Sequence, residues 1–381
     1  MPNMKKHLSL FIIGAFLVPQ FVFGASIDRD FRTLLSNYPE FPVSKQSACV
    51  SDKNGKSLFG YNDTLGIVPA SVSKVYVTDF VISNMDPQYQ FKTNFIINGS
   101  TLYINGDGDP FFIPGHLEKV LTKITLENKN IKINKIIFSN FYLNWSDSVS
   151  GTQIQMQLFL KKKSQIFTPS VAVIHSPVIS RVPGKKYVFT SNTLLSSLKE
   201  MNIYSTNSAA DIFFARLGGK VAFHDYMKKT YGAGPETISF KTGSGLEGNM
   251  TTCRLTLSVL KHLNDSLTAK GLTLLHVLPI PVVDGGSMKN RMKNIIDPKV
   301  LVVKPGFVYY HDTLAGVLNT SKGNVYFAVF TDYYSRADGP RARLFIDTFV
   351  EKLIKEYRAQ PFAYLTKPLI QKVGLTVERV N

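Results

Sequence analysis

In the stretch "PASVSK", Ser71 and Lys74 stand three residues apart. On a helix that spacing puts both on one face, with the amine in reach of the hydroxyl. A serine hydroxyl is a poor nucleophile until a base takes its proton, and a lysine can be that base only if burial and nearby positive charge lower its pKa. At a helix N-terminus Ser71 would also present its backbone N–H to an oxyanion. A second pair, Ser205 and Asn207 in "YSTNS", offers a hydroxyl to relay a proton and an amide to hold a carbonyl. The same letters are good helix caps, and both roles can hold together. A third element, a cationic residue followed by a small one on a strand facing the nucleophile, has two candidates. Lys241-Thr242-Gly243 fits by residue type but runs into the Gly-rich turn "SGLEGNM" with no strand after it. Lys304-Pro305-Gly306 fits by context, bracketed by "VLVV" and "FVYY". Proline is tolerable there only on an edge strand whose missing N–H faces away from the ladder.

The elements that must position these residues are legible in outline. "KQSACVSDKNGKSLFGY", from Lys45 to Tyr61, sets a turn between two short strand-forming runs and reads as a hairpin. A helix follows, with Pro69 just before Ser71 and apolar Val75, Val77, Phe80 and Val81 after it. From about Lys92 to Lys186 the chain turns to β-like runs, "TNFIIN", "TLYING" and "NKIIFSNFYL", with one helical segment near His116 to Ile124. Beyond it, "SNTLLSSLKEMNIYSTNSAADIFFARLGG" is helical in pattern. "VLVVKPGFVYY" and "NVYFAVFTDYY" read as buried sheet strands, and "ARLFIDTFVEKLIKEY" as a closing amphipathic helix. The expected organisation is a mixed α/β domain, residues 25–91 and 187–381, split by a smaller β-rich insertion at 92–186.

The N-terminus carries Lys5 and Lys6, an apolar run from Leu8 to Phe23 interrupted by Pro19, and small residues at Gly24, Ala25 and Ser26. This reads as a secretory signal peptide, residues 1–24, because the run is shorter than the ~20 residues a bilayer span needs. Cleavage would leave 357 of the 381 residues, enough for two domains and a large core at 44% hydrophobic content. The formal charge is +17. Inside a cell that would suggest nucleic acid; outside it, the cell-wall polymer and an anionic membrane surface are the fitting partners, and no nucleic acid is expected. The densest run, Lys161-Lys162-Lys163, has no interleaved aromatics and reads as a solvated loop. Cys49 and Cys253 are the two cysteines. An oxidising compartment permits a disulfide between them, but two buried thiols fit the sequence as well.

With these residues in view, the chain resembles the penicillin-binding-protein-4-like D-alanyl-D-alanine carboxypeptidases/endopeptidases, from about Cys49 to Thr331. "PASVSKVYVT" is similar to the family's nucleophile helix, "INGDGDPFF" to its Gly-Gly-Asp-Pro signature and "STNSAADIFFARLG" to its Ser-Asp-Asn helix. "GSGLEGN" resembles its Gly-Ser-Gly-Leu-Ser-Arg turn, and "PVVDGGSMKNRM" its Asp-Gly-Thr-Leu-x-x-Arg segment. "VKPGFVYYHDTLAGVLNTSKGNVYFAVFTD" sits where the family has Lys-Thr-Gly and two following strands. The resemblance implies a penicillin-binding/β-lactamase-like transpeptidase fold, an antiparallel sheet flanked by helices. It implies a serine peptidase needing no cofactor, acting on peptidoglycan stem peptides and inhibited by β-lactams. Ser71, Lys74 and Ser205 would be catalytic, and Asn207, Lys304, Gly306 and Phe307 would bind substrate, with the Ser71 and Phe307 N–H groups forming the oxyanion hole. It makes Lys241 a structural residue and Lys304 the working lysine. Two departures stand out: Pro305 and Phe307 replace hydroxyl residues that help to bind the substrate's terminal carboxylate. Glu247-Gly248 replaces the Ser-Arg of the turn, and the 134 residues from Ser71 to Ser205 imply a shortened form with a more open cleft.

Other readings compete. Asn105, Asp107 and Asp109 alternate like calcium ligands, but Pro110 replaces the required glycine and His116 stands where a bidentate Glu would be. His224-Asp225 and His311-Asp312 lack the Gly-x-Ser-x-Gly elbow that would accompany a Ser-His-Asp site. A class A β-lactamase would need a deacylating Glu, for which there is no convincing candidate. A noncatalytic homologue that binds peptidoglycan or a partner protein is the alternative that Pro305 and Phe307 favour.

Overall fold

Helix α1 (Val22–Ser36) buries Ile27, Phe31 and Leu34 at helical spacing, and the hairpin of β1 (Ser47–Ser51) and β2 (Ser57–Tyr61) follows as the turn signal requires. The computed structural model describes residues 22–161, 167–179, 182–246, 248–363 and 377–380, so the expected leader lies, up to Phe21, outside the described residues. Next come α2 (Ser73–Asn84), β3 (Gln90–Asn98), β4 (Thr101–Asn105), α3 (Pro114–Glu127), β5 (Ile133–Ser139), α4 (Val149–Leu160), β6 (Phe167–His175) and β7 (Lys185–Thr193). Four helices then run in succession, α5 (Leu194–Tyr204), α6 (Asn207–Arg216), α7 (Gly219–Tyr231) and α8 (Cys253–Thr268). The strands β8 (Leu301–Val308), β9 (His311–Leu318) and β10 (Val325–Asp332), the helix α9 (Gly339–Glu356) and the short strand β11 (Val377–Val380) complete the described chain.

The strands form two sheets. One is antiparallel, in the order β2-β1-β10-β9-β8, and β8 is its edge, where Pro305 costs no ladder hydrogen bond. Helices cover both of its faces, which is why β8 to β10 read as unbroken apolar runs rather than as an alternation. Val302, Ala315, Val317 and Ala328 face the core with α2, α5, α6 and α8; Leu301, Val303, Leu314 and Val329 face the core with α1 and α9. Along β8, therefore, Lys304 and Gly306 share the α2 face with Val302, and Pro305 and Phe307 share the α9 face.

The second sheet has the order β11-β7-β3-β4-β5-β6, and here the sequence reading needs a correction. β4, β5 and β6 are parallel, with α3 and α4 as their crossovers, so this region is mixed α/β and has two helices where one was expected. Parallel neighbours need a crossover, and a helix is the usual one. α4 buries Thr152, Met156 and Phe159 behind the Ser148 N-cap, a narrow stripe that the interleaved Gln153, Gln155 and Gln157 conceal. Of the basic run, Lys161 is the exposed C-cap residue of α4, and Lys162 and Lys163 lie outside the described residues.

Cys49 and Cys253 form a disulfide, joining the centre of β1 to the first residue of α8 across 204 positions. The alternative of two buried thiols is thereby closed. α8 is also tied to α2, where the fully buried Tyr76 hydroxyl bonds the Thr251 and Thr256 hydroxyls at 2.7 and 2.8 Å.

Candidate active site

Ser71 sits in a one-turn 3₁₀ helix, Ala70–Val72, that runs directly into α2. Ala70 holds a left-handed backbone with φ 47°, a cost accepted where the chain turns sharply into the helix. The loop is pinned to the sheet by Thr313 of β9, whose hydroxyl donates to the Pro69 carbonyl at 2.9 Å. Gly306 of β8 is pressed against the same spot. A Cβ there would stand 2.3 Å from the Thr313 hydroxyl and 2.9 Å from the Ser71 nitrogen, so only glycine lets the edge strand come this close to the nucleophile's N–H.

Three residues onward Lys74 is fully buried. Its amine lies 3.0 Å from the Ser71 hydroxyl, 2.8 Å from the Asn207 side-chain oxygen and 3.2 Å from the Ser244 carbonyl. Burial lowers its pKa to about 7, with the charge of Asp211 pulling the other way. Lys304, also fully buried, donates to the Ser205 hydroxyl and to the Pro305 carbonyl, both at 2.9 Å. Burial, and after it the nearby Lys74, push the Lys304 amine well below its usual range. Ser205 is placed by the break between α5 and α6: it caps α5 in the left-handed region at φ 56°, which turns its side chain out of the helical path. Asn207 opens α6, but Thr206 holds the N-cap position and makes no capping bond, so the Asn207 amide is free to face Lys74.

Ser71, Lys74, Ser205, Asn207, Lys304 and Gly306 thus meet at one place, contributed by α2, the α5–α6 junction and an edge strand. Phe307 follows on the strand with its ring half exposed beneath the Arg343 guanidinium on the α9 side, so its backbone rather than its side chain is what it can offer the site. The arrangement sets a hydroxyl beside a buried amine of lowered pKa and a second hydroxyl next to a suppressed cation, groups suited to acyl transfer.

The sequence profile of the D-Ala-D-Ala carboxypeptidase 3 (S13) family matches residues 29–135 and 187–353. The chain belongs to the S13 family. A comparison with curated proteins gives no match. Among solved structures, the chain is similar to the predatory endopeptidase Bd3459 of Bdellovibrio bacteriovorus, at 25% identity over 85% of this chain and 96% of that one, with a TM-score of 0.71. The penicillin G-acylated form of that enzyme, in complex with immunity protein Bd3460, matches at 26% identity over 85% and 96% of the two chains, with a TM-score of 0.69. Penicillin-binding protein 4 of Haemophilus influenzae shares the fold at 17% identity, 84% and 99% coverage and a TM-score of 0.69. The stretch that the S13 profile leaves out, 136–186, holds α4 and β6.

Within this S13 chain the other candidates lie elsewhere. Lys241 is exposed, and its backbone N–H donates to the Asn249 side chain at 2.8 Å. Replacing Lys241 by alanine should therefore leave the rate of acylation by a labelled penicillin within about twofold of the parent, as expected of a surface change. The ring of His224 accepts from the Phe240 N–H, His311 pairs with Asp332, and Asp312 accepts from the Tyr333 hydroxyl; none of these bonds involves Ser71. Asp107 accepts from the Tyr89 hydroxyl at 2.5 Å, and the carboxylate of the buried Asp109 accepts from the Phe111 N–H at 2.8 Å. Among the described residues no group of three or more His, Cys, Asp or Glu side chains is placed to hold a metal ion, and no helix is long and apolar enough to cross a membrane. Sequence reasoning missed Asp211, Ser244 and Thr313. Asp211 was within reach, because it lies four residues after Asn207 on α6 and so shares its face. Ser244 contributes a carbonyl, which no side-chain pattern announces.

Proposed function

We propose that this protein is a serine DD-peptidase of the cell wall, cleaving peptide bonds that follow D-Ala in peptidoglycan through an acyl-enzyme on Ser71, and that penicillins acylate the same residue. The observation that carries the reading is Lys74, buried, with its pKa lowered to about 7 and 3.0 Å from the Ser71 hydroxyl. A neutral amine has two N–H donors. Here they have acceptors waiting in Asn207 and the Ser244 carbonyl, which leaves the lone pair to Ser71. Lys74 takes the Ser71 proton as the oxygen attacks the D-Ala carbonyl, and the Ser71 and Phe307 N–H groups hold the oxyanion. Ser205, polarised by Lys304, relays the proton held by Lys74 to the departing amine, which returns Lys74 to its neutral form and leaves Ser205 a hydroxyl, and Asn207 orients the peptide. Water then attacks the ester and frees Ser71. The leaving amine is either a terminal D-Ala or the side-chain amine of a cross-linked stem, giving carboxypeptidase or endopeptidase action. The Bdellovibrio endopeptidase, matched at 25% to 26% identity, and its penicillin G adduct support both halves of the proposal.

In the same reading the mature chain works in the periplasm after removal of residues 1–24. The disulfide supports an oxidising compartment. The region 92–186 is a unit inserted into the peptidase domain, a division supported by the second sheet, which it builds together with β7 and β11, and by the apolar core around Phe95, Ile104, Phe138 and Phe159, to which Tyr187 and Phe189 of β7 also belong. The basic charge would hold the enzyme close to its polymer.

Incubation with a fluorescent penicillin followed by mass spectrometry is the direct test. The expected result is one adduct on the peptide carrying Ser71, absent from Ser71→Ala, together with release of D-Ala or of the freed stem from muropeptides. Folded protein that takes up no penicillin and releases neither product would point instead to the noncatalytic homologue.

A further inference from the structure

The Lys241–Gly245 segment, which imitates the third motif, is wedged between α6 and the nucleophile. Gly243 lies so close to α6 that a Cβ would stand 2.4 Å from the Ala210 carbonyl and 2.8 Å from the Phe214 Cβ. Gly245, at φ 82°, lies against the loop before Ser71, where a Cβ would meet the Ala70 carbonyl at 2.0 Å. Between them Ser244 turns its carbonyl to Lys74 and donates its N–H to the Asp211 carboxylate at 2.8 Å. The turn is braced from behind by Asn249, whose side chain accepts from the Lys241 and Thr242 N–H groups and donates to the Thr242 carbonyl and the Ser73 hydroxyl.

We propose that this turn, anchored on α6 by Asp211, is the device that positions Lys74, and that Asp211 supplies the counter-charge against which the base is set. Asp211 is a positioning residue: it holds Ser244, and Ser244 holds the amine. Among the described residues, the charged groups that face Lys74 are Asp211 from α6 and Lys304 from β8. They oppose each other, since a negative charge favours the protonated amine and a positive one the neutral amine. Burial pushes the Asp211 carboxyl above its usual range, and its bonds to the Ser244 backbone and side chain, the charge of Lys74 and the Gly243 N–H draw it back only in part. The inference rests on reading Lys74 as the base, and it gives the Lys-Thr-Gly letters at 241–243 a task distinct from substrate binding.

The test is the titration of Lys74 itself, followed through its Cε resonance in protein labelled with ¹³C-lysine and assigned by its loss in Lys74→Ala. Asp211→Asn keeps an oxygen for the Ser244 N–H and removes the charge. The midpoint is expected to move to lower pH, and the acid limb of penicillin acylation to move with it. Gly243→Ala, which forces the turn off α6 without touching a charge, is expected to slow acylation at least tenfold. A Lys74 midpoint in Asp211→Asn that coincides with the parent's overturns the proposal, as does acylation of Gly243→Ala at the parental rate. A parent protein that penicillin does not label would overturn the peptidase reading alone, because the Lys74 titration is read without activity.

Discussion

Lys74→Ala should slow acylation of Ser71 by penicillin roughly 10²- to 10⁴-fold, the range that a positioned general base supplies. The size of the effect follows from the site's own electrostatics. A lysine at its ordinary pKa of 10.5 would present roughly one neutral amine in 3,000 at pH 7, whereas burial brings Lys74 to about 7 and makes about half of the molecules competent there. The sign of the pH dependence follows. Below about pH 7 Lys74 takes up a proton and acylation should fall about tenfold per pH unit; above it the rate should level off. Lys74→Arg separates base from cation, because a guanidinium keeps the charge and cannot lose a proton in this range. It should be as slow as the alanine variant. The measurement is the rate of covalent labelling by a fluorescent penicillin between pH 5 and pH 9, with thermal melting of each variant to show that it is folded. A Lys74→Ala protein that labels within tenfold of the parent, or a parental profile flat through pH 7, would remove Lys74 from the base role.

The residues of this site were legible to different depths, for physical reasons. Ser71 and Lys74 could be paired because a helix converts a spacing of three into contact, and the apolar residues after them announce the helix. Lys304 could be placed on a buried strand because a sheet covered on both faces writes continuous apolar sequence, and Pro305 then marked the edge. The choice between Lys241 and Lys304 depended on context and resemblance, since the letters favoured Lys241; the structure separates them by burial, with Lys304 closed inside and Lys241 in solvent. Asn207 was open between cap and substrate contact, and its amide faces Lys74 instead of capping α6. What stayed hidden is what depends on the backbone or on distant segments: the Ser244 carbonyl, the anchoring of its turn by Asp211, and the approach of Gly306 to the Ser71 nitrogen. The helix α4 was missed because its buried stripe of Thr152, Met156 and Phe159 is narrow and begins with a polar residue.

The disulfide carries the largest stability effect expected of any single change outside the site. Cys49 lies at the middle of β1, between Gly60 on β2 and Ala328 on β10, and Cys253 begins α8; both are buried. The cross-link closes a loop of 204 residues, which in the chain-entropy description takes about 5 kcal/mol from the unfolded ensemble. Removing both sulfurs as Cys49→Ala/Cys253→Ala avoids leaving a lone reactive thiol and should lower the melting temperature on the order of 10 °C. Reduction of the parent protein in mild denaturant, which exposes the buried bond, should give a matching loss. The consequence reaches the site through α8. That helix is joined to α2 by the Tyr76, Thr251 and Thr256 hydroxyls, and α2 begins at the residue after Val72 and carries Lys74 in its first turn. Loosening α8 should therefore make penicillin labelling fail at a lower temperature than in the parent, while labelling at 25 °C, well below the transition, stays within a few-fold. Calorimetry with and without reductant reads the first effect, and labelling after stepwise heating reads the second. Equal melting of the double variant and the parent would show that the two cysteines contribute packing alone, and labelling lost at 25 °C in a fully folded double variant would show that the cross-link holds Ser71 directly.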